Sequence, residues 1–276
     1  MNTYKNLRGA YAKVYGLDLY YEIHGSGQPL VLLPGGFMTI EAMGDLVPQL
    51  AAARRVIGVE LQGHGHTADI ERPLRFELMA DDIAALIRHL GLEQADVFGF
   101  SLGGGVALQT AIRHPEVVRK LALASTAFKR NGWYPEVLAG MASISVELFA
   151  RTRVHEAYLK TSPRPEAWSI FVAKMRQLLG EDYDWTEAVV SLRTPTLILV
   201  GDADSLRLAH AIECFSLLGG AKADGDLAGL RPAQLAVLPA TTHVGWGPPY
   251  RGIITRTQLL LPILTEFLDS PLPETG

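Results

Sequence analysis

Gly99-Phe100-Ser101-Leu102-Gly103 constrains what this chain can fold into more than any other stretch. It has the form G-x-S-x-G. Before it runs an apolar segment, Ala95-Asp96-Val97-Phe98-Gly99-Phe100, of the length of a buried strand. After it come Gly103-Gly104-Gly105-Val106-Ala107-Leu108, small residues suited to a helix packed very close to that strand. A serine at such a junction sits on a sharp strand-to-helix turn with its hydroxyl exposed. Small neighbours let the backbone double back, and glycine tolerates unusual dihedrals at no steric cost. The alternative is a glycine-rich turn with an incidental serine. The pattern of the remaining chain weighs against it.

Strands alternate with helices on both sides of this junction. Lys13 to Ile23 has the composition of a hairpin around Gly16, and Leu30-Val31-Leu32-Leu33 is a continuous apolar run of the kind buried on both faces. A helix is expected from Glu41 to Ala53, then a strand at Arg55-Val56-Ile57-Gly58-Val59. Met79, Ile83, Leu86, Ile87 and Leu90 follow helical spacing. Further strands are expected at Lys120 to Ser125, Pro195 to Val200 and Gln234 to Leu238. A last helix covers Ile254 to Leu268, with Pro262 marking the start of its regular part. Such alternation implies a mostly parallel central sheet with helices on both faces. Between Phe128 and Leu192 only helical patterns appear. Val137, Met141, Ile144 and Leu148 lie on one face; Trp168, Phe171, Val172, Met175 and Leu179 lie on another; Pro163 and Pro165 separate them. Several helices with no strand do not build a crossover unit. Residues 128–192 therefore suit a helical cap inserted into a core made of residues 1–127 and 193–276.

Three chemically matched features fall at the carboxyl ends of predicted parallel strands, the edge where open α/β sheets bind ligands. They are Ser101, the pair Asp202 and Asp204, and His243. A serine hydroxyl is a poor nucleophile at neutral pH; a histidine must take its proton, and a carboxylate must orient the imidazole. The oxyanion then needs preorganised amides. Leu102 would give one, and Pro34-Gly35-Gly36-Phe37 another, through Gly36 or Phe37.

With these residues the chain resembles the α/β-hydrolase fold superfamily, and most closely its small capped esterase-like and lactonase-like members. The resemblance covers nearly the whole chain. It implies a catalytic set of Ser101, His243 and an acid at the fourth residue of Gly201-Asp202-Ala203-Asp204, which favours Asp204 over Asp202; Asp224 and Asp226 are distant candidates. Pro34-Gly35 stands where members often carry His-Gly, and Glu60-Leu61-Gln62-Gly63-His64-Gly65 stands where an Asp-x-x-Gly-x-Gly loop is common. A serine at the elbow, rather than an aspartate, implies acyl chemistry on a small-molecule ester or lactone, with no cofactor. Met38, Trp133, Tyr134, Trp168, Phe171 and Trp246 are candidates to line an apolar acyl pocket, although the helical spacing of the cap aromatics also suits ordinary packing. His64-Gly65-His66-Thr67-Ala68-Asp69 is similar to the H-x-H-x-D-H motif of metallo-lactonases, but its aspartate is displaced and a histidine is missing, so no metal is expected. A carbon–carbon bond hydrolase, a perhydrolase and a non-catalytic ligand receptor on the same scaffold are the other readings.

Charge and composition narrow the partners. A net charge of −4 gives no nucleic-acid footprint. No apolar run is long enough to span a bilayer. The lone Cys214 allows no internal disulfide, and Met1-Asn2-Thr3-Tyr4-Lys5 lacks the apolar core of a signal peptide, so a cytoplasmic location is expected. Leu272-Pro273-Glu274-Thr275-Gly276 matches a sortase sorting signal without the apolar stretch that should come after it.

Overall fold

The computed structural model describes residues 9–229, 231–245 and 251–272. Its strands are β1 (Ala10–Val14), β2 (Leu17–His24), β3 (Pro29–Leu33), β4 (Arg55–Val59), β5 (Ala95–Phe100), β6 (Val118–Ala124), β7 (Thr196–Gly201) and β8 (Ala233–Leu238). They form one sheet in the order β1-β2-β4-β3-β5-β6-β7-β8. The hairpin β1–β2 joins it antiparallel, with Ile23 opposite Ile57, and every later pairing is parallel.

The period-two geometry of the strands sends alternate side chains into two cores. Leu30, Leu32, Phe98 and Leu199 face α1 (Leu46–Ala51) and the last helix, while Val31, Leu33, Val97 and Val200 face α2 (Phe76–His89) and α3 (Leu102–Arg113). Both faces being covered explains why these strands are continuous apolar runs.

Five helices come after β6: α4 (Pro135–Ala142), α5 (Val146–Phe149), α6 (Arg153–Thr161), α7 (Trp168–Gly180) and α8 (Thr186–Ser191). They are a helical insertion, and Tyr158, Trp168, Phe171, Met175 and Val189 share a buried cluster with one face of the sheet. After β7 come α9 (Leu208–Leu217), the short α10 (Gly225–Ala228), β8 and α11 (Thr257–Asp269). Among the described residues no helix is long and apolar enough to cross a membrane. Most of the stretch Leu272 to Gly276 lies outside the described residues.

Three local expectations are corrected. The helix expected from Glu41 to Ala53 is a 3-10 turn, Glu41–Met43, followed by α1, because Gly44 takes a left-handed φ of 57° between them. Pro48 is tolerated as the third residue of α1, where its missing N–H has no intrahelical acceptor. At the other end of the chain α11 begins at Thr257 and runs through Pro262, losing one internal bond while Leu260, Leu264, Phe267 and Leu268 hold it on the core. In the insertion, the face expected from Val137 to Leu148 is broken, because Ser145 caps a new helix through the Leu148 amide at 3.3 Å, and Leu148 turns outward, 55% exposed.

Cys214, in α9, is buried, and burial pushes its thiol up to about 12. Since the thiolate is the reactive form, native protein at pH 8 should react with Ellman's reagent only as fast as it opens. In denaturant the single thiol should react at once. Rapid native labelling would place Cys214 at the surface instead.

Candidate active site

The elbow is built by close backbone contact. β5 ends at Phe100 and α3 begins at Leu102, leaving Ser101 between them at φ 54°, ψ −118°, a conformation rarely adopted by side-chain-bearing residues. The strain is held from both sides, since the Ser101 amide donates to the Ala124 carbonyl at 2.9 Å and its carbonyl accepts from the Gly105 amide at 3.1 Å. The turn also needs its glycines. A Cβ on Gly99 would lie 2.4 Å from the Gly103 carbonyl oxygen, and one on Gly103 would lie 2.3 Å from that of Pro34.

From this turn an unbroken hydrogen-bond chain runs across three strand ends. His243 Nε2 lies 2.9 Å from Ser101 Oγ, and His243 Nδ1 lies 2.8 Å from Asp204 Oδ1. A carboxylate at Nδ1 assigns the ring proton there, which leaves Nε2 to accept the serine proton. Phe100 packs against the imidazole at 5.1 Å between ring centres, and Trp133 meets it edge-on at 5.5 Å. Asp204 is only 7% exposed. Its Oδ1 also accepts from the Leu206 amide at 3.1 Å, and its Oδ2 accepts from the Gly201 amide at 3.2 Å and from Ser125 Oγ. Burial alone would raise this carboxyl, but the bonds from His243 and Ser125 outweigh it and hold it below the usual carboxylate range. Ser125, at the end of β6, is a residue that sequence reasoning misses; its position at the carboxyl edge is the available signal.

The other acids do different work. Asp202 is exposed and accepts from the Thr241 amide at 3.1 Å, tying the turn that carries His243 to the turn that carries Asp204. Backbone amides hold its carboxyl below the ordinary range. Asp224 caps α10, and Asp226 is exposed in that helix.

Gly36, Phe37 and Leu102 lie beside Ser101 on one cavity wall. The Leu102 amide is the first of α3, so it has no acceptor within the helix and stands at the positive end of its dipole. Phe37 takes a left-handed φ of 63°, inside a turn closed by the Met38 amide on the Gly35 carbonyl at 3.1 Å. The Phe37 ring packs on Phe149 at 4.6 Å and Phe171 at 5.4 Å, fixing this loop to the helical insertion.

Ser101 and His243 open into a cavity of about 550 Å³ between the sheet and the helical insertion. Phe37, Met38, Trp133, Met141, Phe149 and Leu179 give it apolar walls, and Arg130 and Tyr183 also reach it. Of the pocket candidates, Met38 and Trp133 border this cavity. Tyr134 does not line this cavity: it is the N-cap residue of α4 and is 40% exposed. Trp168 and Phe171 lie behind the wall, not on it. They are buried against Tyr158, which stacks on Phe171 at 5.4 Å and packs on Trp168 at 4.8 Å. Trp246 lies outside the described residues.

The loop after β4 is held by its glutamate. Glu60 is buried and accepts from the Ile40 amide at 3.0 Å and from the His66 amide at 2.6 Å, joining the loops after β3 and β4. His64, His66 and Asp69 take separate partners: the Gln62 carbonyl at 3.0 Å, Glu60 at 2.9 Å and Lys174 at 2.6 Å. Burial drives the His64 pKa down, whereas Glu60 raises that of His66. Among the described residues no three histidine, cysteine or carboxylate side chains are grouped to hold a metal.

Comparison with known proteins agrees with this architecture. The family model for the α/β hydrolase fold matches residues 28–142. A 2-hydroxymuconate semialdehyde hydrolase of Pseudomonas sp. is 38% identical over 110 residues, 37% of this chain and 38% of that protein. A pimeloyl-[acyl-carrier protein] methyl ester esterase of Neisseria meningitidis is 43% identical over 100 residues, 36% of this chain and 37% of that protein. Both matches span under two-fifths of the relatives' own lengths. The enol-lactonase of Burkholderia xenovorans superposes over 94% of this chain and 100% of that one, with a TM-score of 0.67 at 21% identity. Its sheet, its elbow and this superposition give the chain the α/β-hydrolase fold.

Proposed function

We propose that the protein hydrolyses carboxylic esters through an acyl-Ser101 intermediate. The observation that carries this reading is the hydrogen-bond chain from Ser101 through His243 to buried Asp204, opening into an apolar cavity. His243 takes the Ser101 proton as Oγ attacks the carbonyl carbon, and the amides of Leu102 and of Gly36 or Phe37 receive the oxyanion. Collapse expels the alcohol, protonated by His243. Water, activated by the same imidazole, then cleaves the acyl-serine and releases the acid. Residues 128–192 act as the cap that sets acyl-chain preference. The same steps open a lactone, with the alcohol left on the acyl product, and the similarity to an esterase and an enol-lactonase supports this range of substrates.

The test is hydrolysis of p-nitrophenyl esters of increasing chain length beside an acyl homoserine lactone, with Ser101→Ala as control. Serine-dependent turnover supports the reading, and the ratio of the two rates separates esterase from lactonase. A folded protein that turns over none of them would point to a receptor on this scaffold. Prolonged dialysis against a chelator should leave the rate unchanged.

The acid has its own test. Asp204→Asn should lower kcat by about 10³-fold or more, because the amide no longer stabilises the imidazolium and favours the wrong tautomer. Asp202→Asn should stay within about threefold of wild type, since among the described residues the Asp202 carboxylate accepts from backbone amides. The opposite ranking would move the acid to Asp202.

A further inference from the structure

One wall of the cavity carries hydrogen-bond donors that are not all paired among the described residues. Arg130 lines the cavity, and its side chain is 22% exposed. Its Nη1 lies 3.7 Å from Asp182, whose own side chain is 94% exposed, so this pair is loose and solvated. Its Nε is buried and makes no hydrogen bond among the described residues. The Nε–Nη2 edge of a guanidinium is the side-on face that holds a carboxylate by two parallel bonds. Beside it, Tyr183 accepts from Trp133 Nε1 at 3.4 Å, and its own hydroxyl proton meets no acceptor among the described residues. All three residues border the cavity that Ser101 and His243 open into.

This wall is fixed rather than adventitious. The Arg130 amide donates to the Tyr183 carbonyl at 3.0 Å, and Lys129 bridges to Asp184. Gly132 seats the turn on buried His210, where a Cβ would come within 2.6 Å of the imidazole. The neighbouring cation, Lys129, is already engaged by Glu213 at 2.6 Å. The other charged groups bordering the cavity, Glu41 and Arg153, are exposed.

We propose that Arg130 and Tyr183, with Trp133 orienting the tyrosine hydroxyl, form a carboxylate subsite, so that the ester or lactone this protein takes carries an anionic carboxylate group. The claim about the substrate rests on the hydrolase reading above; the claim about the subsite does not. The ionised oxygen pair of the ligand would meet the accessible part of the Arg130 guanidinium and the tyrosine hydroxyl, while its chain lies along the apolar wall.

The experiment compares hexanoate with its neutral isostere hexanamide by ligand-observed NMR titration, so that binding is read without turnover. Wild type should bind hexanoate at least about tenfold tighter, the usual gain from a charge-assisted pair. Arg130→Gln should bring the two ligands within about twofold, and Arg130→Lys, which keeps the charge but loses the fork, should fall between. Should the glutamine variant not fold, Tyr183→Phe gives a second reading, with the preference falling severalfold. Equal affinity, binding of neither ligand, or a preference that survives Arg130→Gln would overturn the subsite; the last would put the carboxylate at the oxyanion amides. Serine-dependent hydrolysis of p-nitrophenyl butyrate, measured on the same preparation, tests the hydrolase reading separately. A hexanoate preference without turnover would leave the subsite standing and remove the ester.

Discussion

Ser101→Ala should lower ester turnover by about 10⁴-fold or more while the protein stays folded. The serine hydroxyl is small and half-buried, and among the described residues its side chain makes one hydrogen bond, to His243 Nε2. Alanine therefore removes the proposed nucleophile and that bond but almost no packing. His243→Ala should cost as much, because without the imidazole the serine keeps its proton. Members of such a set act as a unit, so the double variant should be scarcely worse than either single one. Additive losses would mean that the two residues serve separate steps. Circular dichroism and thermal melting separate a chemical loss from unfolding. Residual turnover above the uncatalysed rate is expected in both variants, from binding and from the oxyanion amides.

Gly103→Ala should produce a large loss of stability from a single methyl group. The added Cβ would stand 2.3 Å from the Pro34 carbonyl oxygen and 2.4 Å from that of Leu33. Both are backbone atoms of β3 and the loop after it, so no side chain can swing aside. Either α3 withdraws from the sheet or the loop bearing Gly36 and Phe37 shifts. Overpacking of this kind costs about 3 kcal/mol, which for a chain of this size lowers Tm by about 10 °C. Activity should fall further than stability, since the displaced loop carries a proposed oxyanion donor. Gly140→Ala is the control: nothing lies within 4 Å of its added Cβ, and it sits inside α4, where alanine is the better helix former. A Gly103→Ala protein with wild-type melting and turnover would contradict the close-contact account of the elbow.

The fold was legible where burial acts on both faces of a strand. Leu30 to Leu33 and Ala95 to Phe100 became strands because two helical layers leave no polar side to alternate with. Order within the sheet was not legible: β3 lies between β4 and β5, and nothing in the residues of Arg55 to Val59 marks which neighbour they take. Helix boundaries failed where a single dihedral decided them, as at Gly44.

The candidate site divides the same way. Ser101, Asp204 and His243 were readable because each comes after a strand in a sheet whose carboxyl edge is shared. The pocket was harder. Trp168 and Phe171 have the spacing of a buried face, but the packing of α6 on α7 through Tyr158 turns them away from the cavity. Arg130 lies in the polar run Lys129-Arg130-Asn131, which by sequence alone resembles a solvated turn. It borders the cavity in a turn whose Gly132 fits against His210, a contact between distant parts of the chain that no local pattern encodes.

The central claim is that Ser101 is a nucleophile activated by His243. The direct measurement is reaction with a p-nitrophenyl alkylphosphonate, tracking nitrophenol release and locating the adduct by peptide mass spectrometry. The account predicts one equivalent released per chain, the label on Ser101, and little labelling in His243→Ala over the same time. No adduct on folded protein, or a label on another residue, would contradict it.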